Sequence, residues 1–469
     1  MATVDDSPLT VQERHARGRA ARAEVPRSSH ADWAPPSDRT DPVELLQEQA
    51  ETRVPELVPI RNGRMAVSPF TFYRGAAYVM ASDLAPTPRT GLLVQACGDA
   101  HLSNFGGFAA PDRHLVFDVN DFDETLPGPW EWDVKRLAVS LEIAGRDREF
   151  RRKERERVVR AAVGVYRMAM GEFATMGNLD VFYARMDRER VVALAHQAGR
   201  DGAVDELERN TAKARKKDRL RALRKLTVVE DGRRRFASDP PLLVPVRELA
   251  SANQADELIE AIGELYDRYR ATLRQELCEL LERYEFVDLA RKVVGVGSVG
   301  TQAWVVLLIG RDDGDPLFLQ VKEAETSVLE RFVAPSAFDN HGQRVVEGQR
   351  MTQAASDILL GWIRNDAGPD GRVHDFYVRQ LWDWKQSAEI EDMNADALEI
   401  YGGLCGWTLA RAHARSGDSV AISGYLGKSD RFDRALASFA AAYAHQNERD
   451  HRAFVDAIDA GKVPAERGV

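Results

Sequence analysis

Two acidic segments carry the side chains best suited to chemistry. In Gly98-Asp99-Ala100-His101-Leu102-Ser103-Asn104 a carboxylate and a carboxamide stand five residues apart, with a histidine between them. A carboxylate so placed can orient or deprotonate a hydroxyl, and a carboxamide at that spacing can hold a hard cation beside it. Downstream, Asp118-Val119-Asn120-Asp121-Phe122-Asp123-Glu124 packs four acids into seven positions. Mutual repulsion makes such a run unfavourable unless a cation compensates, and all-oxygen ligands favour magnesium or manganese over zinc. Asp121 is the first candidate for a metal ligand, with Asp118 and Asp123 as competitors and Asn104 as the carboxamide partner.

A third segment speaks to phosphate. Gly295-Val296-Gly297-Ser298-Val299-Gly300 is followed by Thr301-Gln302-Ala303-Trp304-Val305-Val306-Leu307-Leu308-Ile309, a β-forming run that makes a poor first turn of helix. The glycines are therefore expected to link two strands, where backbone N–H groups can approach anionic oxygens without a Cβ in the way. The next strand supplies Lys322, flanked by apolar residues and in need of a counterion. Glu347 is the preferred partner and Glu330 the second. The competing interpretation is a twisted hairpin whose glycines serve turns and whose lysine caps an edge strand.

The elements that must position these groups follow from periodicity. Residues 1–40 have few spaced apolar residues and are expected to form a disordered arm. Phe70 to Leu84 is predicted to be one helix, Gly91 to Ala96 and His114 to Phe117 short strands, and Trp132 to Ala174 a helix pair, with helical texture continuing to Tyr284. From Lys292 the pattern becomes β-rich, then helical over Arg344 to Trp362, strand-like over Asp375 to Leu381, and helical again from Ala395. The basic run Lys213 to Lys225 fits a solvated helix face or mobile loop, or an anion or nucleic-acid contact. Trp382 and Trp384 fit strand packing or a pocket wall.

At 469 residues, 44% hydrophobic, the chain is long enough for two lobes with a cleft between them. A net charge of −10 argues against a general nucleic-acid or anionic-membrane binder. Cys97, Cys278 and Cys405 form no ligand-spaced pair, so neither a disulfide framework nor a zinc site is indicated. His341, His374, His413 and His445 form no ligand-spaced pairs either and are treated as structural or surface residues. With no long apolar segment, a cytoplasmic protein without membrane association is expected.

The segments GDAHLSNFG, NDFDE, VGVGSVGT, LQVKEA, VVEGQR and YVRQLWDWK together resemble the bacterial family known as domain of unknown function 2252, over roughly residues 40 to 455. They also resemble the protein-kinase-like superfamily, especially its aminoglycoside-phosphotransferase branch, in permuted order. The loop of Asp99 lies almost two hundred residues before the glycines it would follow in an ordinary kinase. The resemblance implies an α+β, circularly permuted, two-lobe fold. Its parts would be an arm at 1–40, a helical lobe carrying the catalytic and metal loops at 41–290, a β-rich glycine-loop lobe at 291–385, and C-terminal helices at 386–469 rejoining the large lobe. Leu409-Ala410-Arg411-Ala412-His413-Ala414 would lead in space towards Gly98.

It also implies roles. Asp99 would orient the acceptor hydroxyl, and His101 falls where related phosphotransferases carry histidine. Asn104 and Asp121 would hold magnesium, and Asp133 would brace the catalytic loop. Lys322, paired with Glu347, would grip ATP phosphates under a flap containing Gly295, Gly297, Ser298 and Gly300. Cys97 departs from the histidine or tyrosine usual before Gly-Asp, and is expected to be a small buried hydrophobe. The resulting expectation is an ATP-dependent phosphotransferase acting on an unidentified small-molecule or protein hydroxyl. The alternatives are AMP transfer on the same frame, a nucleotide-binding pseudokinase or scaffold, and a two-metal phosphoesterase, for which further metal-binding clusters are missing.

Overall fold

The computed structural model describes residues 9–187, 189–192, 219–249, 263–293, 295–366, 371–381 and 386–468. Residues 213–218 of the basic run, and Trp382 and Trp384, lie outside them. The architecture is mixed α/β with small antiparallel sheets.

The largest sheet has six strands in the order Gly361–Asn365, His374–Gln380, Pro316–Glu323, Ala303–Ile309, Glu285–Lys292 and Leu243–Pro245, all neighbours antiparallel. Strand side chains alternate between faces, and here both faces are covered. Leu289, Val306, Leu317, Leu319 and Phe376 pack on one side, while Ala290, Val305, Leu307 and Phe318 pack on the other. Lys322 shares the second face with Phe318. Its register puts it opposite Ala303 on one neighbouring strand and Tyr377 on the other.

The helical part is built around Trp130–Asp147, Arg152–Phe173, Ala395–Ser416 and Arg431–Asp459. Trp130, Leu141, Val158, Ala162, Tyr166, Leu409 and Phe439 form its core. Helix Ala395–Ser416 lies close along Arg152–Phe173 because Gly406 leaves room, since a Cβ there would meet the Ala162 carbonyl oxygen at 2.3 Å. Two small sheets adjoin this bundle: Leu93–Ala96 with Leu126–Pro129, and Phe105–Ala109 with Leu115–Val119 and Gln386–Ser387.

Several expectations need correction. The arm expected to be disordered contains a helix, Val11–Glu24, opened by a Thr10–Glu13 capping box. It docks on Ser419–Leu426 through small residues: a Cβ at Gly18 would sit 1.9 Å from the Ala421 carbonyl oxygen. The helix expected over 70–84 is two helices, Pro69–Gly75 and Ala77–Leu84, broken at Ala76. The helical texture expected up to Tyr284 is interrupted by strands Thr227–Glu230, Arg233–Phe236 and Leu243–Pro245. The β-rich part therefore begins before residue 291, with Leu243–Pro245 as the sheet's edge and Glu285–Lys292 beside it. The helix expected over 344–362 spans His341–Thr352 and is followed by strand Gly361–Asn365. Among the described residues, no helix is long and apolar enough to cross a membrane.

Candidate functional site

The loop bearing Asp99 leaves strand Leu93–Ala96 through Gly98, whose φ of +79° is open to glycine at little cost. A Cβ at Gly98 would also meet the Glu124 carbonyl oxygen at 2.3 Å, so the two acidic loops touch here. Buried Asp133, in the first turn of helix Trp130–Asp147, accepts the Cys97 N–H at 2.7 Å and the Gly98 N–H at 3.0 Å. His413 Nε2 lies 3.1 Å from the same carboxylate. Asp133 therefore braces the loop as expected, and helix Ala395–Ser416 reaches it through His413 as expected. Tyr401 adds a second brace, donating its hydroxyl hydrogen to the carbonyls of Leu102 and Phe105. Cys97 is buried, and burial pushes its thiol up.

Asp99 opens towards a cavity of about 440 Å³, with 19% of its side chain exposed. Its Oδ1 accepts from Arg136 Nε at 2.8 Å, while Oδ2 lies 3.7 Å from His101 Nε2. Arg136 stacks on the Tyr73 ring, 3.8 Å from its centroid, and also donates to the Tyr73 carbonyl. Burial raises the Asp99 carboxyl despite the Arg136 charge. Burial likewise pushes the His101 ring well down, helped by Arg136 and Arg74, so the imidazole is neutral. Because His101 Nδ1 accepts the Ser103 N–H, its hydrogen sits on Nε2, facing Asp99. Asn104 donates Nδ2 to the Asp99 carbonyl at 2.8 Å, which leaves its amide oxygen as a free acceptor among the described residues. The Asn104 carbonyl accepts the Asn120 N–H at 2.9 Å, which ties the Asp99 loop to the acidic run.

Within that run the carboxylates divide. Asp123 accepts from Lys322 Nζ, from the Tyr377 hydroxyl at 2.9 Å and from Ser298 Oγ at 3.2 Å. Burial acts to raise it, but Lys322 and then Tyr377 outweigh burial and hold it below the usual carboxylate range. Asp121 lies 3.8 Å from Lys322 Nζ, and burial, with Asp123 next, raises its carboxyl. Burial also raises Glu124, to about 7, against the Val328 N–H that it accepts.

Asp118, a competitor for the metal from its position in the run, has its carboxylate committed elsewhere. It forms an ion pair with Arg411 at 2.6 Å, each side chain 1% exposed, and also accepts from the backbone of Ala354 and Val119. Glu347 likewise is not Lys322's partner: it pairs with Arg350 at 3.0 Å on its own helix. Glu330 is engaged with Ser327, Ser336 and the Arg344 side. The counterion role belongs to Asp123, with Asp121 behind it.

The glycine segment connects strands Glu285–Lys292 and Ala303–Ile309, as expected, with Gly295 and Gly300 at φ of +69° and +96°. It is held from the helical side. Arg64 Nη1 donates to the Gly295 carbonyl at 2.7 Å, the Val54 N–H to the Gly300 carbonyl at 2.7 Å, and Arg53 to the Val299 carbonyl at 2.5 Å. A Cβ at Gly297 would lie 3.2 Å from the Arg74 carbonyl oxygen. Gly295 and Ser298 line the Asp99 cavity, and with Asp121 they also line a second cavity of about 440 Å³ that contains Lys322 and Arg379. The acidic run thus stands between two chambers.

Residues 53–457 match the family described as "Uncharacterized protein conserved in bacteria (DUF2252)". The chain belongs to this family. No curated protein and no solved structure gives a significant match.

Sequence reasoning missed several members of this DUF2252 site. Arg136 and Tyr377 bond its two central carboxylates, and Arg379 donates to the Asn120 carbonyl at 3.0 Å. Tyr377 and Arg379 sit two positions apart in YVRQ, an alternation visible in the sequence that puts them on one face of the strand that pairs with Lys322's. Arg136 follows Asp133 by three residues, a helical spacing that shares a face, but nothing in the sequence says which carboxylate it meets.

Proposed function

We propose that this DUF2252 protein is a magnesium-dependent phosphotransferase that moves the γ-phosphoryl group of ATP to a hydroxyl acceptor, on a circularly permuted, kinase-like two-lobe frame. The observation that carries the reading is the meeting of Lys322, Asp121, Asp123, Asn104, Asp99 and the glycine segment around one acidic run. These are the charges that phosphoryl transfer requires, and little covalent chemistry is asked of the protein beyond positioning them.

In this reading the chamber of Lys322 and Arg379 takes the nucleotide and the chamber of Asp99 takes the acceptor. Asp99 Oδ2 receives the acceptor hydroxyl's hydrogen while Arg136 fixes Oδ1. The acceptor oxygen forms its bond to the γ-phosphorus, the bond from that phosphorus to the β–γ bridging oxygen breaks, and ADP departs with the electron pair. Lys322, released in part from Asp123, meets phosphate oxygens.

Magnesium, when bound, neutralises charge on the phosphates. The Asn104 amide oxygen and Asp121 suit it as hard donors. Among the described residues no three His, Cys, Asp or Glu side chains gather as ligands. That agrees with an ion held by one or two carboxylates plus phosphate and water.

Incubating the full chain with γ-labelled and, separately, α-labelled ATP tests the reading. Label should leave the γ position for water or an added acceptor pool, and Asp99→Asn should stop transfer while retaining nucleotide binding. Transfer of α-label instead would establish AMP transfer, and unimpaired transfer by Asp99→Asn would overturn the role of Asp99.

A further inference from the structure

We propose that Arg74 forms an anion subsite for the acceptor, so that the acceptor carries a carboxylate or phosphate close to its reacting hydroxyl. This deepens the phosphotransferase reading and rests on it for the word acceptor. Arg74 lies in the last turn of helix Pro69–Gly75 and lines the same chamber as Asp99 and His101. Among the described residues no carbonyl or carboxylate bonds its guanidinium, and its Nε is buried without a partner. Burial lowers its pKa, yet a guanidinium keeps its charge under physiological conditions. A half-buried cation left unpaired is costly, and a bidentate anion is the ligand its planar fork fits best.

The chamber's other charges are largely spoken for. Arg331 pairs with Glu48, Asp99 with Arg136, Asp123 with Lys322, and Glu323 with His374 at 2.6 Å. Arg53 is engaged with the Val299 carbonyl, and Glu325 is the acid that acts on it most strongly. Glu124 is raised to about 7, and Asp121 is the carboxylate suited to magnesium. That leaves Arg74, among the described residues, as the lining cation that no hydrogen bond or close ion pair engages, with Glu391 and Asp99 the acids that act on its charge from farther off.

Inorganic phosphate is the probe. It is titrated calorimetrically into the full chain already loaded with magnesium and AMP-PNP, for the natural protein and for R74A and R74K. The expected result is phosphate binding that weakens about tenfold or more in R74A and less in R74K, with AMP-PNP affinity unchanged. Because a half-buried, unpaired cation is costly, unliganded R74A should melt no lower than the natural protein, and R74K keeps the test valid if R74A does not fold. Phosphate binding equal in all three, no phosphate binding by the natural protein, or an equal loss of AMP-PNP affinity in R74A each overturns the subsite. If the natural protein binds phosphate through Arg74 but no nucleotide, the anion subsite stands and the phosphotransferase reading falls.

Discussion

Lys322 bonds Asp123 across 199 positions of sequence, joining the central strand of the six-stranded sheet to the acidic run of the other part of the molecule. The lysine is 3% exposed and the carboxylate 26%. Asp123's carboxylate also accepts from Tyr377 and Ser298, which come from the same sheet and its glycine loop. One carboxylate thus gathers the lysine strand, its neighbour and the loop that would cover phosphates.

Removing one member of this pair strands the other's charge. Lys322→Met should lower stability by roughly 2 kcal/mol, below the usual loss for a fully buried pair because water reaches Asp123. Adding Asp123→Asn should recover part of that loss. Urea unfolding of the two single variants and the double variant measures the coupling, and strictly additive losses would show that the pair contributes nothing.

Asp118 and Asp121 should respond in opposite ways although only two residues separate them. Asp118→Ala leaves Arg411 charged and buried, which should cost about 3–5 kcal/mol and leave little folded protein. Asp121→Asn should fold normally, since that carboxylate is raised by burial and by Asp123. Circular dichroism melts distinguish them, and a stable Asp118→Ala would refute the assignment of Asp118 to structure.

Glu124 gives a pH signature. Its pKa in the folded chain, about 7, exceeds the ordinary value of 4.5. The folded state therefore holds this proton where the unfolded chain has lost it. The contribution is complete below about pH 4.5 and disappears as pH rises through 7. Asp123 has the opposite sign: its depressed pKa stabilises above the ordinary carboxylate range and is lost as acid titrates the folded group. Melting temperature should fall between about pH 4.5 and 7, and Glu124→Gln should flatten that fall, a difference on the order of 2 kcal/mol. Parallel curves for the two proteins would be inconsistent with a raised Glu124.

Arg136 should tune Asp99. Replacing it with Gln removes a positive charge 2.8 Å from the carboxylate, so the Asp99 pKa should rise further. The acidic limb of the pH profile for γ-phosphoryl release should move to higher pH, by about one unit. An unmoved limb with reduced rate throughout would indicate that Arg136 acts only on the fold.

The chemistry-bearing residue types were legible in the sequence because each lies in a short local pattern. Asp99, Asn104 and Asp121 come together as their spacing suggested, and the glycines do link two strands. Pairings were not legible, because they depend on tertiary contacts. Glu347 was expected to serve Lys322, but Arg350 on the same helix face satisfies it at no cost in chain closure. Asp118 looked like its neighbours until Arg411, 293 positions away, proved to neutralise it. Helix Val11–Glu24 gave no apolar stripe because Gly18 and Ala21 make its buried contact, and close backbone approach leaves no hydrophobic period to read.

The central claim is that the acidic run binds a magnesium nucleotide against Lys322. Calorimetric titration of AMP-PNP into the full chain, with and without magnesium, for the natural protein and Asp121→Asn, tests it most directly. Binding should need magnesium and weaken about tenfold or more in the variant. No binding at millimolar nucleotide, or the same magnesium-dependent affinity in Asp121→Asn, would contradict it.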